Sequence, residues 1–314
     1  GRSLIMLRRR RRSPWLTLLI IIVLAAVWWY QRDRDGDEQR EPPGDWQWNA
    51  ADATLPRTPD TLRIATFNIQ VFGQSKLDKP EVLDVLAETV RQFDLVAIQE
   101  IRSSAQDVMP RFVERINADG RRYDFVIGPR LGRTTSKEQY AYLYDTEHVE
   151  LIAGSVYTVA NPSDRLHRPP FVASFRARGP PASGAFTFTL INIHTDPDET
   201  AEELDALAEV LASVRRDGED DVVLLGDLNA DARHLRELGE TPGLVPAITG
   251  ITTNTRRTEE YDQVLLDSTA TREFTGAAGV HDFRERFGLS LEQALKVSDH
   301  FPVWAEFSIS EERE

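Results

Sequence analysis

Five apolar runs in this chain meet a polar residue able to bind a metal or move a proton. Arg63-Ile-Ala-Thr-Phe-Asn68 ends in Asn68, and Leu95-Val-Ala-Ile-Gln-Glu100 ends in Glu100. Phe188-Thr-Leu-Ile-Asn-Ile-His194 ends in His194, and Val222-Val-Leu-Leu-Gly-Asp227 brings Asp227, with Asn229 two residues on. Asp299-His300 directly precedes Phe301-Pro-Val-Trp-Ala-Glu-Phe307. Short apolar runs of this kind read as buried strands. A strand must end in something polar, so one such residue carries no information. Five that bring only carboxylates, amides and imidazoles to one rim describe metal-assisted phosphodiester cleavage.

From Thr61 onward strands and helices alternate. Asp78-Lys-Pro-Glu81 opens a helix with Pro80 near its first position, and Val82, Leu86 and Val90 give it an apolar face. A second helix is predicted over about 105–116. A third, over about 198–216, turns Leu204, Leu207, Val210 and Leu211 inward. Ser290-Leu-Glu-Gln293 is a capping-box signature. Further strands are predicted at 140–144, 172–175 and 263–266. The chemistry lies between Asn68 and His300 without a linker-like break, which predicts one α/β domain over 61–310. Its architecture is a four-layer sandwich, two mixed β-sheets face to face with helices outside; residues 311–314 form a tail.

The segment before it reads differently. Residues 1–14 form a basic leader with an arginine run from Arg8 to Arg12, and 15–30 are apolar and uncharged. As a helix the latter spans roughly 24 Å, slightly short of a bilayer core, with Trp28, Trp29 and Tyr30 at the far interface. The reading is a transmembrane signal anchor, since no small-x-small cleavage site closes the stretch; a cleaved signal peptide with secretion is the alternative. By the positive-inside rule the arginines stay in the cytoplasm and the domain lies outside it, periplasmic or extracellular. Residues 31–60 are charged and rich in breakers, a flexible tether.

The formal charge of −14 argues against adhesion to nucleic acid through bulk charge, though a local basic groove can still hold phosphate. Cysteine is absent, which excludes disulfides, thiolate metal sites and thiol nucleophiles. Glu100 is the first metal candidate, because a hard cation such as Mg²⁺ takes carboxylate oxygens and needs few protein ligands. Asn68, Asp227, Asn229 and Asp299 complete or surround the site. Asp227 and Asn229, at i and i+2 on an extended segment, project to the same side. His194 and His300 are two of six histidines. In-line hydrolysis needs a base for water and an acid for the leaving alkoxide, and imidazole suits both near neutral pH. Asp262 and Glu138 are the carboxylates at hand to orient them, and sequence alone does not pair them.

These residues sit in motifs that resemble the endonuclease/exonuclease/phosphatase superfamily, and within it the deoxyribonuclease I family. Thr66-Phe-Asn68, Gln99-Glu100, Gly226-Asp-Leu-Asn229 and Ser298-Asp-His300 carry the superfamily likeness. Gln99-Glu-Ile-Arg102, Lys137-Glu-Gln-Tyr140, Ile193-His-Thr-Asp-Pro197, Tyr261-Asp262 and the stretch from Asp282 to Val303 carry the family one. The resemblance implies that His194 with Glu138, and His300 with Asp262, form two acid/base pairs. Glu100, Asn68, Asp227, Asn229 and Asp299 would hold Mg²⁺ or Mn²⁺ and the scissile phosphate. Arg102 matches an arginine placed in the DNA minor groove, Arg168 one that contacts phosphate, and Tyr140 and Asn229 are further substrate-facing positions. Ile251 and Arg257, in a cysteine-free loop, and Pro169 depart from the family's calcium-binding positions and argue against structural Ca²⁺. Ser136 replaces an aromatic that stacks on deoxyribose.

The leading expectation is a sequence-tolerant, metal-dependent DNA endonuclease. A lipid phosphodiesterase of the sphingomyelinase type shares the Asn-Ile-His arrangement and is the rival, although no long apolar hairpin is present to enter lipid. A catalytically inactive binding module is disfavoured, because every expected carboxylate and histidine is retained.

Overall fold

The computed structural model describes residues 58–133, 137–161, 163–216 and 220–312. The predicted leader and anchor, the tether up to residue 57, Ser136 and residues 313–314 lie outside them. Among the described residues no helix is long and apolar enough to cross a membrane.

Among the described residues thirteen strands fall into two sheets. The first contains β1 (Thr61–Phe72), β2 (Leu95–Ile101), β3 (Tyr123–Ile127), β4 (Gln139–Asp145), β12 (Phe274–Val280) and β13 (Val303–Ser308), in the order β12-β13-β1-β2-β4-β3. The second contains β5 (Val149–Leu151), β7 (Phe171–Ala177), β8 (Thr187–His194), β9 (Val222–Asp227), β10 (Leu244–Pro246) and β11 (Asp262–Asp267), in the order β10-β11-β9-β8-β7-β5. β6 (Tyr157–Thr158) pairs with β7. Both sheets are mixed: β1–β2 and β8–β9 are parallel, and the other pairs are antiparallel.

The central strands read as continuous apolar runs because both faces are covered. In β8, Phe188 and Leu190 face the other sheet and share one buried core with its Leu62, Ile64, Tyr142 and Val303. Ile191 and Ile193 face the opposite way, onto Leu204, Leu207 and Leu211. Those leucines belong to a helix over Thr200–Arg215, within one or two residues of its expected bounds. On the outer face of the first sheet, Phe67 meets Phe283 with ring centroids 6.1 Å apart and Phe72 meets Phe112 at 5.0 Å. Pro80 occupies the first turn of the helix Pro80–Val90, and the capping box at Ser290 forms with both of its hydrogen bonds. The second predicted helix starts three residues later than expected, at Val108.

One core group sets a pH limit on the fold. His281 is fully buried, edge-on to Phe93 and Phe287, and neither ring nitrogen has a hydrogen-bond partner. Burial, reinforced by the charge of Arg286, pushes its pKa down to about 3. Below the unfolded value of about 6.5 the unfolded chain takes up a proton that the folded imidazole refuses. Stability should therefore fall as the pH drops from about 6.5 towards 3, by on the order of 3–5 kcal/mol in full, and stay unaffected by this group above 6.5. His281→Leu should remove that slope. Its melting temperature relative to the parent protein is expected to be several degrees higher at pH 5 than at pH 8, and an equal difference at both would refute the assignment.

Candidate active site

Strand periodicity builds the site. Side chains at every second position face the same way, so the parity that sends Leu62 and Ile64 between the sheets also sends Asn68 there. The same rule carries Tyr140 and Tyr142 to Glu138, Leu190 to His194, Val223 and Leu225 to Asp227, and Val264 to Asp262. All these polar residues emerge at one end of the sandwich. His194 and Asp227 are register partners on parallel strands. Gly226 permits that approach, since a Cβ on it would stand 1.8 Å from the Ile193 carbonyl oxygen.

Two imidazoles converge on Asp227. His194 Nδ1 lies 3.2 Å from Glu138 Oε1, and His300 Nδ1 lies 2.9 Å from Asp262 Oδ2. The opposite nitrogen of each ring, Nε2, is 3.5 Å from the same Asp227 Oδ2. The Thr253 hydroxyl donates to Asp262 Oδ2 at 2.7 Å and fixes that carboxylate in turn. Burial alone would drive both imidazoles towards the neutral form. For His300 the Asp262 and Asp227 charges outweigh it and raise the pKa to about 10. His194 is raised as well, by Asp227 and Glu138 against burial and Arg168. Burial would likewise raise Asp227, but the two imidazoles and the Asn68 amide hold its pKa below the usual carboxylate range.

Beside this pair stands a second acidic face. Glu100 should point away from the site by parity, because Leu95 and Ala97 already face inward. One extra residue enters β2 between Ile98 and Ile101, and Glu100 takes φ +61°, which turns its carboxylate back towards the cleft. Val71 N–H donates to Glu100 Oε2 at 2.9 Å from a backbone at φ +49°, a costly conformation for a β-branched residue. Asn68 Nδ2 spans Glu100 Oε1 at 3.2 Å and Asp227 Oδ2 at 2.9 Å. Gln70 Nε2 holds Asp299 Oδ2 at 2.7 Å. Burial and the neighbouring Glu100 charge raise the Asp299 pKa. A hard divalent cation fits this face. Its donors are oxygens, its carboxylates repel one another, and Asn68 Oδ1 is buried without a partner. Glu138 comes within 4.8 Å of Glu100, and Asp262 within 4.8 Å of Asp227, yet each is already engaged by an imidazole.

The remaining predicted residues divide. Arg102 folds onto the site, with Nη2 3.2 Å from Glu100 Oε2 and Nε 3.7 Å from Glu138 Oε2, and its side chain keeps 29% exposure. Arg168 is buried: Nη1 lies 2.6 Å from Glu138 Oε1, while Nε and Nη2 donate to the carbonyls of His194 and Thr195. Tyr140, expected to face substrate, is 1% exposed, and its hydroxyl accepts from His194 N–H at 3.0 Å, which places it as a support of His194 from the core. Asn229, at φ +48°, donates to the Thr195 carbonyl at 3.0 Å. It lines both a cleft of about 330 Å³, shared with Glu100, Arg102, His194 and His300, and an adjoining cavity of about 570 Å³. In the cysteine-free loop Arg257 pairs with Asp282 and Glu285, a guanidinium cross-link at one position where calcium was disfavoured.

Sequence reading passed over the supports beneath the rim. Gln99 Nε2 donates to Thr66 Oγ1 at 2.9 Å and to Asn192 Oδ1 at 2.7 Å, a buried polar tie between the two sheets. Ser298 Oγ donates to the Asn68 carbonyl at 2.7 Å. Gln99 and Ser298 stand in the quoted motifs without a role of their own, and Asn192 was detectable as an amide at an inward position of an otherwise apolar strand; Thr253 and Gln70 carry no comparable signal.

Comparison with known proteins agrees with this geometry. The model of the Endonuclease/Exonuclease/phosphatase family matches residues 65–300. Over 271 residues the chain is 33% identical to deoxyribonuclease gamma of Rattus norvegicus, covering 81% of this chain and 86% of that protein. It is 33% identical over 273 residues to deoxyribonuclease-1-like 2 of Homo sapiens, covering 77% and 90%. An endonuclease/exonuclease/phosphatase family protein from Bacteroides thetaiotaomicron shares the fold, with a TM-score of 0.53 at 17% identity over 80% of this chain and 98% of that one. With the family model matching most of its length and relatives at 31–33% identity over about four fifths of it, the chain belongs to the endonuclease/exonuclease/phosphatase family, on its deoxyribonuclease I-like branch.

Proposed function

We propose that the chain is a divalent-metal-dependent endonuclease that hydrolyses DNA phosphodiester bonds with little sequence preference. The observation that carries this is the convergence of two carboxylate-backed imidazoles on one point, each Nε2 3.5 Å from Asp227 Oδ2. One Nε2 takes the proton of the attacking water while the other hands a proton to the leaving alkoxide, and Asp227 holds both rings at the scissile position. Glu138 and Asp262 fix the ring orientations and favour the imidazolium each forms. Glu100, Asp299 and Asn68 would hold Mg²⁺ or Mn²⁺, which when bound supplies positive charge to the phosphate. Arg102, at the cleft and partly exposed, faces the sugar–phosphate backbone. The deoxyribonuclease names of relatives at 31–33% identity support DNA as the substrate class.

The test is to incubate the purified protein with supercoiled plasmid and, separately, with sphingomyelin vesicles, in Mg²⁺, Mn²⁺ or EDTA. Nicking that needs the metal is the expected result. Lipid cleavage without nicking would replace the reading by the lipid phosphodiesterase one, and neither activity by a binding module. The arginine run and apolar stretch of residues 8–30 further support a domain held at a membrane outside the cytoplasm. Protease treatment of spheroplasts, from which any outer membrane has been opened, checks that point, and protection of the domain would overturn it.

A further inference from the structure

Val71 is an exposed apolar side chain that the reaction above does not use. Beside it β1 and β2 lose step. Asn68 pairs with Gln99 and Phe72 with Ile101, so three residues of β1 stand against one of β2. Such an irregularity pushes residues out of the ladder. Ile69 and Phe72 stay fully buried, whereas Val71 is left 46% exposed at φ +49°. Among the described residues only Tyr157 and Ile251 are further large hydrophobics left exposed.

Contacts on either side fix where Val71 stands. Its N–H and Arg102 Nη2 meet the same oxygen, Glu100 Oε2, at 2.9 and 3.2 Å. Arg102 N–H in turn donates to the Phe72 carbonyl at 2.8 Å. A Cβ on Gly73 would stand 3.1 Å from the Arg102 carbonyl oxygen, so the two segments run in close contact. The bond to Glu100 accounts for the Val71 backbone but not for its side chain. Asparagine or glycine would offer the same N–H at lower conformational cost, because a left-handed φ is hardest on a β-branched residue. An exposed isopropyl group held in that conformation beside the cleft points to a role outside the fold.

We propose that Val71 is a substrate-binding residue, its methyl groups packing on the C–H edge of a deoxyribose in the DNA strand that Arg102 faces. This rests on the reading of the site as a DNA nuclease. Arg102 supplies charge to the strand, and Val71 beside it supplies apolar surface to the sugar, a contact that positions DNA without reading its sequence. The consequence has a sign that a purely structural valine lacks. Relieving the backbone strain should stabilise the protein, while losing the methyl groups should weaken its hold on DNA.

The experiment measures melting in EDTA, and KM and kcat for plasmid nicking in Mg²⁺, for the full chain and for Val71→Asn and Val71→Ile. Asparagine tolerates the left-handed backbone and keeps the N–H on Glu100, but it removes the apolar surface. Isoleucine keeps both the strain and the methyl groups. Val71→Asn is expected to melt a few degrees higher than the parent, about 2–5 °C. Its KM for DNA should rise roughly threefold to tenfold, the effect of uncovering one or two methyl groups, with the smaller share of the loss in kcat. Val71→Ile should stay close to the parent in KM and in melting. A parent-like KM in Val71→Asn overturns the Val71 proposal and leaves the nuclease reading standing. A raised KM accompanied by a lower melting temperature, or shared equally by Val71→Ile, makes Val71 a structural residue and overturns the proposal as well. Absence of nicking by the parent protein overturns both readings.

Discussion

His300→Ala is expected to nick supercoiled DNA about 10²–10⁴-fold more slowly than the parent protein, and His194→Ala to fall in the same range. Each imidazole is placed by a carboxylate behind it and an acidic oxygen before it, so alanine removes a proton carrier that water cannot replace in that geometry. His300 has the stronger claim to a charged resting state, with its Nδ1 2.9 Å from Asp262 and its pKa raised to about 10 by Asp262 and Asp227. The double variant should be little slower than the worse single one, because two groups serving one transition state do not contribute additively. Mn²⁺ binding should survive both substitutions, since the proposed metal face is Glu100, Asp299 and Asn68. A plasmid-nicking time course beside a Mn²⁺ titration checks this. Parent-like nicking by His300→Ala would falsify the acid/base assignment, and lost Mn²⁺ binding would move that histidine to the metal.

The rim was legible in the sequence because strand periodicity does two jobs at once. The alternation that buries Leu190 and Val223 between the sheets also fixes the side to which His194 and Asp227 point. Reading an apolar run to its polar end therefore locates a side chain in space, provided the strand is regular. Glu100 shows where this fails. Its identity is visible, but its direction depends on an extra residue in β2 and a left-handed backbone that alternation does not encode. Tyr140 fails differently. Its motif context suggested a substrate contact, whereas its burial beneath His194, whose N–H its hydroxyl accepts, depends on tertiary packing that the motif does not encode. Thr253 was invisible because it reaches the site from another segment, and only tertiary packing decides where a loop hydroxyl ends.

Arg168→Met is expected to destabilise the protein by about 3–5 kcal/mol, with a fall in melting temperature of roughly 10 °C. The resemblance offered Arg168 as a phosphate contact, and its position argues for a larger structural role. Its guanidinium is 2.6 Å from Glu138 Oε1, and the Glu138 side chain has no exposed surface. It also satisfies the carbonyls of His194 and Thr195, at 3.0 and 2.9 Å. Methionine fills much of the volume but leaves a buried carboxylate with only His194 and the more distant Arg102 for company, and two carbonyls lose a donor. Breaking one side of a buried pair costs far more than the pair contributes, because the surviving charge cannot reach water. Adding Glu138→Gln to Arg168→Met should therefore recover part of the lost stability, although Glu138→Gln alone lowers it. Denaturant melts of the four proteins close that cycle. A loss under about 1 kcal/mol in Arg168→Met, together with a raised KM for DNA, would return Arg168 to the role of a phosphate contact. The expected pattern instead makes it the anchor that holds Glu138 behind His194.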